Sequence, residues 1–209
     1  MQLHSNDLSD QQPIPSRFAF GKLADDAPMA LADNVSPHLA WSDAPAGTRS
    51  FALLCVDPDV PSKIDDVNQE GKVLPADMPR VDFCHWVMID IPPDVTELAS
   101  GACGEGIVAG GKQNPPGPDG ARQGINDYTG FMAGNPDMAG QYHGYDGPCP
   151  PWNDELLHRY VFTVYALDVE RLELAEGFSG PDALKAMEGH ILAQASLCGT
   201  YSLNPQIAS

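Results

Sequence analysis

The segment Gly144-Tyr145-Asp146-Gly147-Pro148-Cys149-Pro150-Pro151 places a stiff turn ahead of the strand-like run His158 to Leu167. Side chains alternate along a strand, so His158 and Tyr160 share one face and Arg159 takes the other. An imidazole and a phenol then open onto one pocket. Asp57-Pro58-Asp59-Val60-Pro61 adds two carboxylates at the end of the apolar run Phe51 to Val56. Each of the two can accept backbone N–H groups in an Asx turn or meet a ligand. His85, inside the apolar run Phe83 to Ile89, reads alone as either a hydrogen-bonded core residue or a ligand. Taken with Asp57, His158 and Tyr160 it suggests an anion site of tunable charge, because a neighbouring carboxylate favours the protonated imidazole. Gly147, Pro148, Pro150 and Pro151 would form a rim of little conformational freedom. Phosphate suits such a site. The same groups leave a hydrolase open, with His85 or His158 as general base oriented by Asp57. No serine or cysteine carries a nucleophile signature, and Cys149 is the one thiol expected near the pocket. A His₂-carboxylate metal set of Asp57, His85 and His158 is a third option, but no H-x-x-x-H or H-x-H spacing supports it.

These side chains need strands to position them. Arg17 to Leu23, Arg49 to Val56, Phe83 to Ile91 and His158 to Asp168 are rich in aromatic or β-branched residues and bounded by turn formers. The 20 glycines and 20 prolines punctuate apolar runs rather than forming a tract, which suits a mainly β fold with elaborate loops. Asp57 to Asp82 and Pro92 to Leu157 are long connections, and connections of that length are commonly functional. One clear helix is predicted: Gly180 and Pro181 open it, Leu184, Met187, Ile191, Leu192, Ala195 and Cys198 recur at helical spacing, and Gly199 closes it. A shorter helical or turn segment is expected from Asp94 to Gly101.

A chain of 209 residues, 43% of them hydrophobic, supports one substantial core and a single domain spanning residues 1–209. Its 11 Lys plus Arg against 29 Asp plus Glu leave a net charge of -18. That field repels nucleic acid and anionic membrane, and neither is an expected partner. The same surplus serves solubility. Met1 to Ser16 is polar and ends in a Pro-Ile-Pro turn, unlike a signal peptide, which points to the cytoplasm. No window approaches the ~20 apolar residues that span a bilayer. The 5 cysteines are widely spaced without a C-x-x-C pair, so neither a disulfide framework nor a zinc site is indicated. No cofactor is expected.

Several blocks, in order along most of the chain, resemble the phosphatidylethanolamine-binding proteins, specifically their bacterial Raf-kinase-inhibitor-like branch. They are Asn34-Val35-Ser36-Pro37 with Leu39 and Trp41, Asp57-Pro58-Asp59-Val60-Pro61, His85-Trp86 with Pro92, Asn126-Asp127-Tyr128, Gly144-Tyr145 with Gly147 to Pro151, and His158-Arg159-Tyr160. The ending Gly189-His190-Ile191-Leu192-Ala193 with Gly199-Thr200-Tyr201 is similar to the bacterial branch. The resemblance implies two packed antiparallel sheets with a C-terminal helix and a small anion pocket. It carries the ligand-site roles onto Asp57, Asp59, His85, His158 and Tyr160, and the rim onto Gly147, Pro148, Pro150 and Pro151. It further implies a non-catalytic protein that binds phosphate or phosphorylethanolamine, that regulates a partner kinase or protease, and that pairs as a homodimer. One departure stands out: Trp152 to Leu157 is inserted before the His-Arg-Tyr block, bringing Asp154 and Glu155 where they could repel an anion. Arg122, in the long segment Gln113 to Gln141, could offset that repulsion or simply pack.

Overall fold

The computed structural model of the protein describes residues 1–207. In chain order its strands are β1 (Gln2–His4), β2 (Gln12–Pro13), β3 (Gly21–Lys22), β4 (Ala30–Leu31), β5 (Leu39–Ser42), β6 (Ser50–Pro61), β7 (Arg80–Ile91), β8 (Glu97–Leu98), β9 (Arg122–Gln123), β10 (His158–Leu167) and β11 (Ile191–Tyr201). The helices are α1 (Tyr128–Phe131) and α2 (Gly180–Met187). A six-stranded sheet runs in the order β2-β11-β10-β6-β7-β9, and a three-stranded sheet in the order β1-β5-β8. All pairings are antiparallel except the short one between β11 and β2.

The middle strands of the large sheet are buried on both faces, which explains why β6 and β7 read as nearly continuous apolar runs rather than alternating ones. Phe51, Leu53 and Cys55 of β6 meet Trp86 and Met88 of β7, Phe162 and Val164 of β10, and Leu39, Trp41 and Leu98 of the small sheet. On the opposite face Ala52, Leu54, Val87 and Ile89 pack under Phe178 and under Ala183 and Met187 of α2. Trp41 and Trp86 are both buried core residues. Ser179 caps α2 in a reciprocal box with Asp182, with proline in the first turn.

Two predicted elements take another form. The C-terminal helix stops at Met187, Gly189 turns the chain with φ +82, and Ile191–Tyr201 is a strand paired along β10 from Leu167 to His158. Half of the expected buried helical stripe is instead open, with Leu184, Ile191 and Leu192 each about 40% exposed, while Met187 and Cys198 stay buried. Hydrogen bonding to a ten-residue partner overrides the local periodicity. Arg17 to Leu23 is likewise no continuous strand. A 3-10 turn, Ser16–Phe18, precedes the two-residue β3, and Phe18 and Phe20 are buried as single anchors rather than as a ladder face. Within Asp94 to Gly101 the chain forms β8 flanked by turns. No described helix is long and apolar enough to cross a membrane.

Candidate ligand-binding site

The ends of β6, β7 and β10 meet the rim Gly147–Pro151 and helix α1 around a cavity of about 560 Å³. Asp57, His85, His158, Tyr160, Pro150 and Pro151 line it together with Cys149. Its remaining walls are mostly apolar, from Val60, Pro61, Ile64, Val67, Val81, Phe83, Ile125 and Phe131, and carry Asp127 and Tyr128. No lysine or arginine is among the lining residues.

His158 is fully buried, and both of its ring nitrogens are engaged: Nδ1 with Asp57 at 2.7 Å and Nε2 with Asp154 at 3.1 Å. Both partners are carboxylates, so both nitrogens donate, and the ring is an imidazolium. Burial alone would lower its pKa, but the hydrogen bonds and charges of Asp154 and Asp57 win and raise it to about 9. Asp154 is in turn held by Arg80 through Nη1 at 2.5 Å and Nη2 at 3.0 Å. Burial would raise the Asp154 pKa, yet His158 and Arg80 bring it below the usual carboxylate value. Asp57, His158, Asp154 and Arg80 thus alternate in sign and cancel. The inserted segment supplies a structural counter-ion here, not a repelling charge at the mouth. With no lone pair left, His158 cannot be the general base of a hydrolase, nor can it ligate a metal. Among the described residues no group of three or more His, Cys, Asp and Glu side chains is disposed to hold a metal ion.

Asp57 takes the Asx-turn role and also holds His158. Oδ1 accepts the Asp59 backbone N–H at 2.8 Å in an Asx turn, and Oδ2 receives His158. Asp59 does not line the cavity. The β6–β7 register shifts between Asp57 and Val60, so the two aspartates do not share a face as residues two apart in a regular strand would. Asp59 instead grips Arg159 with Nε–Oδ2 at 2.8 Å and Nη2–Oδ1 at 2.7 Å. Burial would raise its pKa, and these bonds bring it below the usual value.

His85 is the contrasting histidine. Nδ1 donates to the Asp146 carbonyl at 2.8 Å, which leaves Nε2 as an uncommitted nitrogen. Phe83, Tyr128 and Tyr160 enclose its ring at centroid distances of 4.9, 5.5 and 5.1 Å. Burial lowers its pKa against the pull of Asp57 and of the Asp146 carbonyl. It is neutral at pH 7, with a bare lone pair on Nε2. Burial likewise pushes the Cys149 thiol up to about 12, so it is no thiolate nucleophile.

The rim is held from behind by residues that spacing alone did not single out. Buried Asp146 accepts Lys112 Nζ at 2.8 Å, Asn34 Nδ2 at 2.7 Å and Asn126 Nδ2 at 2.8 Å. Asn34 Oδ1 also receives the Gly147 N–H at 2.8 Å. Gly147 must be glycine, because a Cβ there would lie 2.0 Å from the Phe18 carbonyl oxygen. Gly147 and Pro148 therefore build the wall from outside the cavity and do not line it. Of Pro148 to Pro151 only Cys149 has a backbone N–H, and among the described residues no protein group accepts it. Arg122 is remote from the cavity, bonded to Asp90 at 2.7 Å and to the Leu174 and Leu172 carbonyls.

Comparison with known proteins agrees with this architecture. The chain is 37% identical over 202 residues to the UPF0098 protein YbhB of Escherichia coli, covering 97% of this chain and 100% of that one. It is 36% identical over 201 residues to a UPF0098 protein of Methanothermobacter thermautotrophicus, covering 96% and 98%. Among solved structures, E. coli YbcL, described as a member of the mammalian PEBP family, superposes with a TM-score of 0.69 at 27% identity over 96% of this chain and 97% of that one. A Chlamydia trachomatis homologue of the phosphatidylethanolamine-binding proteins superposes at 0.64 with 32% identity, covering 96% of each. The profile of the phosphatidylethanolamine-binding proteins matches residues 4–202, and on these grounds the chain belongs to that family.

Proposed function

We propose that this chain is a binding protein for a small phosphate-bearing molecule that enters its cavity with one phosphate oxygen still protonated. The observation that carries the reading is the division of labour between the two histidines: His158 is spent on internal carboxylates, and His85 keeps Nε2 for a ligand. The cavity offers the Cys149 N–H and the Tyr160 hydroxyl as donors, Asp57 as acceptor, and His85 as a group that can be either. With no lysine or arginine among the lining residues, and His158 already balanced by Asp57 and Asp154, no free cation offsets the second charge of a dianion. A monoanion donates its P–OH to the carboxylate and accepts from the other groups. The family's name points to the same chemistry, since phosphorylethanolamine is the head group of the lipid it mentions.

Calorimetric titration with O-phosphorylethanolamine tests this. The wild type should bind saturably. His85→Ala should weaken binding roughly 10- to 100-fold, the worth of a charge-assisted hydrogen bond, with the melting temperature little changed. Equal affinity in wild type and variant would overturn the assignment. As pH falls from 8 to 6, affinity should rise, because the free protein holds His85 neutral and the bound anion favours its protonation. His85→Asn should flatten that dependence.

A further inference from the structure

Two long connections meet at the cavity, and the phosphate end uses neither of them. The β6–β7 connection contributes Ile64 and Val67 to its lining, the β9–β10 connection contributes Phe131 of α1, and Val81 joins them from β7. Ile64, Val81 and Phe131 are 66, 48 and 50% exposed. Large apolar side chains grouped in the open mark a binding surface when they border a cavity. The inserted segment before β10 holds the β6–β7 connection against that cavity. Asn153 Oδ1 accepts the Asn68 N–H at 2.9 Å, and its Nδ2 donates to the carbonyls of Asp66 at 2.9 Å and Lys72 at 3.2 Å. Asn68 Oδ1 accepts the Trp152 N–H at 3.0 Å. Asn153 is itself buried, so its amide is fully committed to fixing this wall. Size points the same way: about 560 Å³ matches roughly twenty water-sized atoms at ~30 Å³ each, and O-phosphorylethanolamine supplies fewer than half of them.

We propose, on the phosphate reading above, that this apolar end selects the alcohol side of the ester. The ligand is a phosphate monoester of an apolar alcohol several carbons long. Ile64, Val81 and Phe131 are the residues that determine this specificity, and Asn153 is the positioning residue behind them. An apolar chain gains by leaving water for these walls, at no cost in unpaired charge. An apolar phosphate ester exists both as a soluble monoester and as an intact two-tailed lipid, which is a diester. Only the monoester retains the P–OH that Asp57 accepts, so the site takes the monoester and refuses the diester.

Calorimetry at pH 6 with ethyl, butyl and hexyl phosphate tests the selection. Affinity should rise about threefold to fourfold per added methylene, the worth of a buried CH₂, which makes hexyl phosphate on the order of a hundredfold tighter than ethyl phosphate. The double variant Ile64→Ser, Phe131→Ser, at exposed positions, should bring that ratio down toward one. Asn153→Ser should lower the ratio as well. Methyl hexyl phosphate, with the same chain but no P–OH, should bind roughly tenfold or more weakly than hexyl phosphate. Where ethyl phosphate binds and His85→Ala weakens it, a ratio near one in the wild type overturns the inference and leaves the phosphate reading standing. A ratio that stays high in the double variant overturns it too, as does a diester that binds as tightly as the monoester. If His85→Ala changes no member of the series, the phosphate reading falls and takes the inference with it.

Discussion

His158 carries a proton whose removal the fold resists, and stability should show it. The pKa is raised from the ordinary 6.5 to about 9, so its contribution is fully present below pH 6.5 and is lost as pH rises through about 9. That raise corresponds to roughly 3 kcal/mol. Denaturant melts between pH 6 and 10 should fall across that window. The fall should vanish in His158→Gln, which should itself be less stable by about 3–5 kcal/mol at pH 6, since it breaks a buried ionic chain. A pH-independent wild type would contradict the imidazolium assignment. The sequence showed that Asp57 and the two histidines converge, because strand alternation and run ends are legible. It did not show which histidine is spent internally. That depends on Asp154 arriving from an inserted segment and on Arg80, whose guanidinium meets it from another strand.

Lys112 illustrates how a loop becomes rigid enough to fix a histidine of β7. Its buried ammonium holds Asp146, whose backbone carbonyl fixes His85. Lys112→Met should therefore cost about 3–5 kcal/mol, by leaving a buried carboxylate without its cation. It should also weaken phosphorylethanolamine binding. Unfolding curves and calorimetry on the same variant check both, and unchanged binding would show that His85 needs no such support. Nothing near Lys112 in the chain hints at this role, because its partners, the Tyr145 carbonyl and the Asp146 carboxylate, are far away in sequence, as are Asn34 and Asn126, which also donate to Asp146. The strands β6, β7 and β10 were readable from their β-branched and aromatic runs. The segment Ile191 to Gly199 was not, since its apolar residues fit a helical period as well as a strand, and only the long pairing with β10 decides between them.

At the scale of the whole molecule, charge works against any anionic ligand at long range. A net charge of -18 repels a phosphate-bearing anion, while the cavity itself is screened by local cancellation of Asp57, His158, Asp154 and Arg80. Association with O-phosphorylphenol-type probes bearing no ammonium should therefore accelerate with ionic strength between 10 and about 200 mM, opposite to the usual steering effect. Stopped-flow fluorescence would measure it, and slower association at higher salt would contradict a purely acidic approach path. The mainly β architecture and the family were legible across most of the chain. The layout of one six-stranded and one three-stranded sheet was not, because it depends on which strands sit beside each other rather than on what each contains.

The most direct test follows the imidazole NMR signals of the 6 histidines while O-phosphorylethanolamine is added at near-neutral pH. Saturable shifts at His85, with its pKa rising in the complex and His158 protonated throughout, are the predicted result. A ligand that binds without moving His85, or that deprotonates His158, would contradict the division of roles on which the proposed function rests.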